Sequence, residues 1–451
     1  MRWPLLLLFV VLLSACSTRE WNAPLVEGGA APRYDFASRL PQENSQRVFV
    51  VLAFSGGGTR AGAFSYGILK QLRQTTVQID GRRRRLLDEV DVISSVSGGS
   101  FTAAYYGLFG DRIFDDYERK FLKRDVSGGM LSRLLDPTAL TSLTASDFNR
   151  GDLAANWLAE NLYERKTFAD MSLGHLPYVI LNASDLNTGL TFSFIQQQFD
   201  FLCSNLNTYP VANAVMASAA MPVIFAPIAV RNFGADCRER RESWVPAALN
   251  RRDIFTREYQ VARALSRYFE PRTLPIVRLV DGGVTDNLGV RGSMMSPVAH
   301  YGNVPDMAGA FSREALDRVT DVLVIVANAQ IYGEYGWSRD GTDPGITGML
   351  YSSFDAAVDI LSTETVSLAK GGFQMWADQI NARRKPGAPR VRVNFATLTF
   401  DGIRDPSERA RFNAIPTTLS LPARDVDDLE RLAERLLLES TEYQTFVQTL
   451  R

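Results

Sequence analysis

The sequence predicts an α/β fold, a three-layer α/β/α sandwich in which helices cover both faces of a mostly parallel sheet. Continuous apolar runs, each as long as a buried strand, alternate along the chain with segments of helical periodicity. Strands that are apolar throughout are typical of a parallel sheet covered on both sides. The five predicted strands span residues 48–54, 90–96, 178–183, 276–280 and 322–327, and residues 391–400 can add an edge strand.

The predicted helices occupy the segments between and after these strands. The first, residues 61–72, follows the first strand, and the charged and aromatic stretch 238–270 is expected to form a helical insertion. Residues 127–135 are apolar with glycines at one end, which favours a packed core helix over a mobile flap above a pocket. The additional carboxyl-terminal helices include an apolar stripe made of Val426, Leu429, Leu432, Ala433 and Leu436.

The amino-terminal segment is expected to lie outside the folded body. Residues 1–15 contain an apolar run over 5–13 that fits a signal peptide and is too short to span a membrane. Residues 16–46 are rich in Pro, Gly, Ala, Asn and Ser and lack periodicity, so we expect a flexible tether there. The rest divides into a catalytic domain over 47–328 and a mostly helical extension over 329–451, packed on that domain.

The end of the signal segment, Leu13-Ser14-Ala15-Cys16, resembles the cleavage box of bacterial lipoproteins. The resemblance implies cleavage after Ala15 and lipid attached to Cys16. An ordinary secretory signal with an incidental cysteine is the alternative. In such lipoproteins an aspartate after the cysteine indicates the inner membrane, and this chain has Ser17 there. We therefore expect a lipid-anchored protein of the cell envelope, in the outer membrane of a Gram-negative bacterium.

The overall composition excludes some partners and cofactors. The chain has 49 lysines and arginines against 50 aspartates and glutamates, so there is no electrostatic case for nucleic acid. No cluster of cysteine and histidine has the spacing of a metal site, and no cofactor is expected. Besides Cys16, the chain has Cys203 and Cys237, which can form a disulfide in an oxidising compartment. The basic run 82–85 is expected to be a solvated loop rather than a contact for anionic headgroups.

A candidate nucleophile, Ser97, lies in the stretch Ser95-Val96-Ser97-Gly98-Gly99, between a predicted strand and an Ala-rich predicted helix. A serine in such a tight turn has small neighbours, and its hydroxyl points out of the strand at the start of a helix. Helix N-termini favour negative charge, which suits a nucleophile that forms an anionic intermediate. On this motif alone, a plain turn is an equally good interpretation.

A glycine loop, Gly56, Gly57 and Gly58, follows the first predicted strand. Its uncovered N–H groups can hold a phosphate or an oxyanion. A dinucleotide site is disfavoured because the loop lacks its last glycine and a downstream ribose-binding acid, and a P-loop is excluded because no Gly-Lys-Ser/Thr follows. The loop is better explained as an oxyanion hole for Ser97 that uses the N–H groups of Gly57 and Gly58.

The candidate base is Asp281. The only two histidines, His175 and His300, are not placed at the end of a strand beside glycines, so we expect structural roles for both. Asp281 does stand at such a strand exit, before Gly282 and Gly283, where its carboxylate can approach a serine closely enough to take its proton. Taken alone, a turn-forming Asp-Gly pair would be the better explanation.

Together these motifs resemble the patatin-like phospholipase family over about residues 48–328. Three further stretches agree with the family, namely residues 181–189, 214–222 and 281–287. The resemblance implies a patatin-like sandwich with a Ser-Asp dyad, in which Ser97 is the nucleophile and Asp281 the base. It also implies that the loop from Gly56 to Gly58 is the oxyanion hole.

The sequence departs from the family pattern at three positions, with Ser55 for an acid and Ala61 and Ser95 for glycines. Because these substitutes are small, we expect the backbone path to be kept. The function implied is a membrane-anchored hydrolase of lipid acyl esters, of the phospholipase A or lysophospholipase kind, whose partners are membrane lipids. The alternatives are an acyltransferase or thioesterase with the same dyad, and a catalytically silent lipid-binding lipoprotein.

Overall fold

The computed structural model describes most of the chain. The described residues are 19–25, 33–34, 44–134, 149–171, 177–222, 224–234, 237, 244–291, 318–331, 337 and 340–450. They form a mixed α/β fold with a central sheet flanked by helices. Within these ranges no helix combines the length and the hydrophobicity needed to cross a bilayer.

The described strands are short and mostly apolar. They are β1 (Ala23–Pro24), β2 (Val48–Phe54), β3 (Thr76–Ile79), β4 (Arg82–Arg85), β5 (Val90–Val96), β6 (Tyr178–Asp185), β7 (Thr191–Ser193), β8 (Ser204–Asn205), β9 (Ile228–Arg231), β10 (Ile276–Asp281), β11 (Asp321–Ala327) and β12 (Arg392–Leu398). All the strands predicted in the sequence are present, which confirms their apolar runs as sheet core.

The described helices fill the intervals between these strands. They are α1 (Gly58–Gln74), α2 (Gly98–Phe109), α3 (Ile113–Tyr117), α4 (Val126–Leu134), α5 (Arg150–Asn161), α6 (Phe168–Met171), α7 (Gln196–Phe201), α8 (Val211–Ser218), α9 (Trp244–Arg251), α10 (Arg257–Leu265), α11 (Gly283–Asp286), α12 (Ile346–Arg383), α13 (Pro406–Asn413), α14 (Ala423–Glu439) and α15 (Thr441–Thr449). The predicted insertion over 238–270 contains α9 and α10, and the segment 127–135 falls on α4, whose Val126 and Met130 are buried.

The central sheet has eight strands in the order β12-β11-β2-β5-β6-β10-β9, with β7 paired to β6. The five strands from β12 to β6 are mutually parallel, whereas β10, β9 and β7 are antiparallel to their neighbours. This is the mostly parallel sheet that the sequence predicts. Because β2 and β5 are parallel neighbours, the turns that follow them lie side by side at one edge of the sheet.

The antiparallel strand β10 brings its last residue to the same place from the opposite direction. Asp281 pairs with Ala183 of β6, and the preceding residue of β6, Asn182, pairs with Val96 of β5. The end of β10 is therefore separated from the end of β5 by the width of one strand. The register of this antiparallel pair places Asp281 near Ser97.

The prediction of a flexible tether over residues 16–46 is wrong for the described part of that segment. Arg19 is buried, and its Nη2 lies 2.7 Å from a carboxylate oxygen of Asp152. β1 pairs with β8, and the buried Tyr34 donates a hydrogen bond from its hydroxyl to the carbonyl oxygen of Val179 at 2.8 Å. Polar composition suggested a tether, but these side chains have specific partners on the folded body.

The predicted boundary at residue 328 does not separate two independent bodies. β12, which lies in the carboxyl-terminal extension, pairs with β11 along its whole length and forms the edge of the central sheet. α14 packs against α1, where Lys70 forms an ion pair with Glu430 at 2.9 Å. The extension thus adds a strand to the central sheet and packs a helix on the body formed by residues 47–328.

Two further features concern the basic run and the cysteines. Residues 82–85 form β4 of a two-stranded hairpin with β3, so the expectation of a loop there is wrong. Arg84 of this strand is paired with the buried Glu89 at 2.7 Å. Cys203 and Cys237 form a disulfide, with their Cα atoms 5.7 Å apart.

Candidate active site

Ser97 occupies a strained turn between β5 and α2. Its φ of 49° and ψ of −120° are in a region that side chains other than glycine rarely adopt. The turn is packed tightly on the glycine loop, because a Cβ atom on Gly98 would lie only 2.0 Å from the carbonyl oxygen of Gly58. Gly99 donates its N–H to the carbonyl oxygen of Ser55 at 3.1 Å. The strained geometry and the close approach together hold the Ser97 hydroxyl at the edge of the sheet.

Asp281 faces Ser97 directly. The Ser97 hydroxyl donates a hydrogen bond to Oδ2 of Asp281 at 2.7 Å, and the N–H of Gly283 donates to Oδ1 at 2.8 Å. Burial raises the pKa of Asp281 to about 6, although the hydrogen bonds from Ser97 and Gly283 oppose the shift. The carboxylate is therefore mostly ionised at neutral pH and is more basic than an exposed aspartate.

The glycine loop lies on the other side of Ser97. Gly57 and Gly58 have φ angles of 135° and 60°, which turn the chain sharply into α1. Gly56 donates its N–H to the carbonyl oxygen of Asn287 at 2.9 Å, so this N–H is already used. Among the residues that the structure describes, none accepts a hydrogen bond from the N–H of Gly57 or Gly58. Gly57 and Gly58 are therefore the candidates for an oxyanion hole, and a Cβ atom on Gly56 would lie 3.2 Å from Cβ of Ser97.

Ser218, a buried serine at the end of α8 that was not among the sequence candidates, lies next to the candidate nucleophile Ser97. Its hydroxyl accepts a hydrogen bond from the N–H of Ser97 at 2.9 Å and donates to the carbonyl oxygen of Asn182 at 2.6 Å. Its own carbonyl oxygen accepts from the N–H of Gly282 at 3.0 Å. Ser218 therefore joins the nucleophile turn, the intervening strand and the base loop. Its place in the family-like stretch 214–222 was the available signal.

The predicted turn residue Ser95 has a structural position. It is fully buried, accepts a hydrogen bond from the Ser100 hydroxyl at 3.1 Å and donates to the carbonyl oxygen of Ile180 at 3.4 Å. The Ser95 hydroxyl therefore has both a donor and an acceptor as hydrogen-bond partners inside the protein.

A second residue missed in the sequence is Arg60, at the start of α1. Its guanidinium is 2% exposed and donates hydrogen bonds to the carbonyl oxygens of Ala329 at 2.8 Å and Ile415 at 2.7 Å, and to the Thr417 hydroxyl at 2.9 Å. The N–H of Thr59 donates to the carbonyl oxygen of Thr418 at 2.8 Å. Segment 415–420 of the extension is thereby bound to the glycine loop.

A cavity of about 380 Å³ opens above the dyad. Ser97, Asp281 and Gly58 are among the residues that line it, and its walls are mostly apolar. The apolar lining consists of Met130, Leu153, Ala154, Ala219, Met221, Ile224, Phe225 and Leu419. The other lining residues are Ser127, Arg150, Thr417 and Thr418. An apolar group that carries an ester fits a mostly apolar cavity whose lining includes a serine and an aspartate.

The remaining sequence candidates lie elsewhere. Cys16, His175 and His300 are outside the described residues. In the described part of the chain, the one group of three side chains with metal-ligand spacing is Glu118, Asp427 and Glu430, away from the cavity lining. Lysine ammonium groups are paired with these acids, with Lys123 2.7 Å from Asp427.

Comparison with known proteins gives a family for this arrangement. The family model described as patatin-like phospholipase matches residues 52–293, more than half of the chain, and this range contains Ser97, Asp281 and the glycine loop. A comparison with curated proteins finds no match.

Several solved structures are similar to the chain at low identity. Human GIVD cytosolic phospholipase A2 matches 92% of this chain with 14% identity and a TM-score of 0.44. The chain spans 64% of the length of that protein. VipD from Legionella pneumophila matches 93% of this chain and 71% of its own, with 13% identity and a TM-score of 0.29. The type III effector ExoU matches 89% of this chain and 93% of its own, with 13% identity and a TM-score of 0.22.

Proposed function

The chain belongs to the patatin-like phospholipase family, and on that premise we propose that it hydrolyses acyl esters of lipids with Ser97 as nucleophile and Asp281 as base. The observation that carries the proposal is the 2.7 Å hydrogen bond from the Ser97 hydroxyl to the Asp281 carboxylate, in the wall of a mostly apolar cavity. A hydroxyl and a carboxylate at this distance are in reach of direct proton transfer.

In the first half of the reaction, Oγ of Ser97 attacks the ester carbonyl carbon while its proton passes to Oδ2 of Asp281. The oxygen of the tetrahedral intermediate becomes negative and accepts hydrogen bonds from the N–H groups of Gly57 and Gly58. The bond to the alcohol then breaks, and Asp281 returns the proton to the leaving oxygen. The products of this half are the alcohol or lysolipid and an acyl ester on Ser97.

In the second half, water replaces the alcohol. Asp281 takes a proton from the water as its oxygen attacks the acyl carbonyl, and the same two N–H groups bind the oxyanion. Ser97 leaves with the proton from Asp281, and a fatty acid is released. The raised pKa of Asp281, to about 6, suits both steps, because the carboxylate is ionised at neutral pH yet basic enough to accept a proton.

A fluorophosphonate probe tests the nucleophile. Such a probe is expected to label the wild-type protein and not the Ser97→Ala variant, and Asp281→Asn should lose nearly all turnover of a chromogenic acyl ester. Ser127→Ala is the matched control, because Ser127 lines the same cavity without touching the dyad. Labelling or wild-type turnover in a folded Ser97→Ala protein would refute the assignment.

The reaction products distinguish a hydrolase from an acyltransferase and from a protein without catalytic activity. With a phospholipid as substrate and no added alcohol, the proposal predicts a free fatty acid and a lysolipid. An acyl ester of an added alcohol as the main product would instead indicate an acyltransferase. An absence of both products, together with an absence of labelling, would indicate a binding protein that has kept the fold.

We also propose that the protein is a lipoprotein anchored through Cys16. The sequence Leu13-Ser14-Ala15-Cys16 supports this.

Mass spectrometry of the mature amino terminus tests the anchor. We expect an acylated Cys16 as the first residue. The Cys16→Ser variant should be released from the membrane fraction or should keep its signal segment uncleaved. An unmodified amino terminus at another residue would refute the anchor without affecting the assignment of the dyad.

A further inference from the structure

Arg150 lies in the wall of the candidate active site, and its guanidinium has no partner among the described residues. It is the first residue of α5 and lines the same cavity as Ser97 and Asp281. Its side chain is exposed, and none of the described residues forms an ion pair or hydrogen bond with it. Among the residues lining this cavity it is the one with a positive charge.

The nearest acid in the sequence, Asp152, is not available to neutralise Arg150. Asp152 is 3% exposed and is bound by Arg19, with Nη2 at 2.7 Å and Nε at 3.0 Å from one carboxylate oxygen. The same oxygen accepts the N–H of Asn149 at 2.9 Å. Since Arg19 already pairs with Asp152, no described acid engages the Arg150 guanidinium, and its donors are left for a ligand.

Helix stability does not explain an arginine at this position. The start of α5 is closed by a capping box, in which the Asn149 side chain accepts hydrogen bonds from the N–H groups of Gly151 and Asp152. A cation in the first turn of a helix opposes the helix dipole, so Arg150 costs stability there. The capped N–H groups of Gly151 and Asp152 are also unavailable to a ligand, so the Arg150 guanidinium is the donor that remains at the start of α5.

The other arginine near the site, Arg60, cannot take this role. Its guanidinium is buried and already donates to Ala329, Ile415 and Thr417. The cavity therefore combines an apolar wall, a hydroxyl–carboxylate pair and a single uncommitted guanidinium. A molecule that carries an acyl chain, an ester and an anionic group would match these three features.

We propose that Arg150 binds the phosphate of a phospholipid or lysophospholipid whose acyl ester reaches Ser97. The proposal rests on the proposed function, and it assigns to one residue the preference for a phosphate-bearing lipid over a neutral glyceride. A guanidinium suits this role because its planar fork donates two parallel hydrogen bonds to phosphate oxygens.

Two soluble substrates that differ in the phosphate test the role. Dihexanoyl phosphatidylcholine carries a phosphodiester, and dihexanoylglycerol has the same acyl chains without it. Arg150→Gln is expected to lower kcat/KM for the phospholipid by about tenfold or more and to leave kcat/KM for the glyceride within about twofold of the wild type. Arg150→Lys should recover part of the loss, because it restores the charge but not the fork.

Arg83→Gln is the matched control. Arg83 is exposed on β4, outside the cavity lining, so its substitution should leave kcat/KM for both substrates unchanged. An equal loss on both substrates in Arg150→Gln, or no loss on either, would overturn the role of Arg150. Monomeric substrates are used so that a change in binding to lipid surfaces does not enter the result.

A binding measurement keeps this inference separate from the proposed function. In the Ser97→Ala background, which is not expected to turn over substrate, calorimetric titration with dihexanoyl phosphatidylcholine should show binding that Arg150→Gln weakens by about tenfold. Equal affinity in both proteins would overturn the role of Arg150. A wild-type protein that hydrolyses no ester but shows this difference in affinity would overturn the proposed catalysis and support the phosphate site.

Discussion

Arg60 donates a hydrogen bond from Nη1 to the carbonyl oxygen of Ile415, 2.7 Å away and 355 positions later in the chain. One residue belongs to the helix that begins at the glycine loop, and the other to the carboxyl-terminal extension, beyond the part matched by the family model. The extension therefore helps to position the candidate oxyanion hole. Thr417, Thr418 and Leu419, which follow Ile415, line the cavity.

Arg60→Met is expected to lower both stability and activity. The carbonyl oxygens of Ala329 and Ile415 would lose their buried donor, and an unsatisfied buried polar group costs about 1–3 kcal/mol. The free energy of unfolding should therefore fall by about 3 kcal/mol or more, as measured by denaturant titration. Arg83→Met, at an exposed position on β4, should leave both properties unchanged. A stable and fully active Arg60→Met protein would show that segment 415–420 is held by other contacts.

Ser218→Ala should reduce turnover of an acyl ester while the protein stays folded. The N–H of Ser97 would lose its acceptor and the carbonyl oxygen of Asn182 its donor, so the strained turn is held less firmly. We expect kcat to fall by about tenfold to hundredfold. Ser65→Ala is a control for deletion of a buried hydroxyl, because no described residue bonds the Ser65 hydroxyl. Unchanged kcat in Ser218→Ala would remove Ser218 from the positioning network.

The rate should depend on pH through Asp281. Burial raises the pKa of Asp281 to about 6, and the carboxylate must be unprotonated to accept the proton of Ser97. kcat/KM is therefore expected to be constant above about pH 7 and to fall about tenfold per unit below the pKa. Glu430, whose pKa burial raises to about 7, lies away from the cavity, so Glu430→Gln should keep the same profile. A flat profile down to about pH 4 would exclude Asp281 as the base.

Asp281→Asn should stabilise the protein most at alkaline pH. The folded-state pKa of about 6 lies above the usual 3.8, so the folded protein holds the proton more tightly than the unfolded chain. Below about pH 4, Asp281 is protonated in both the folded and the unfolded protein, so no charge is buried on folding. Above about pH 6, the folded protein must keep Asp281 as a buried carboxylate, which lowers its free energy of unfolding. The gain from Asp281→Asn should approach about 3 kcal/mol at pH 8 and vanish near pH 4, as measured by thermal unfolding. A gain that does not change with pH would contradict this account.

The disulfide between Cys203 and Cys237 should stabilise the folded protein. The bridge closes a loop with a sequence separation of 34, and the chain-entropy model gives about 4 kcal/mol for such a loop. The double variant Cys203→Ser, Cys237→Ser is expected to unfold at a lower denaturant concentration than the wild type. A reductant should lower the midpoint of the wild type to a similar value and leave the double variant unchanged. A reductant effect of equal size in both proteins would point to a different cause.

Much of the site is readable from the sequence because each of its parts is local. Ser97 follows an apolar strand and precedes two glycines, Asp281 ends another apolar strand, and Gly57 and Gly58 follow a third. Steric limits on the backbone allow such tight turns only with small residues, so the pattern can be recognised in the amino-acid sequence. The apolar strands were predictable as well, since a sheet covered on both faces favours apolar residues along its central strands.

Tertiary structure decided the parts that depend on which segments become neighbours. The antiparallel register of β10 brings Asp281 next to Ser97, and the hydrogen bond from Gly56 to Asn287 removes one of three candidate oxyanion donors. The packing of Arg19 on Asp152 turned part of a predicted tether into folded structure, and no acid among the described residues pairs with Arg150. These contacts join residues far apart in the chain, and their free energies depend on burial and distance, which no local sequence pattern encodes.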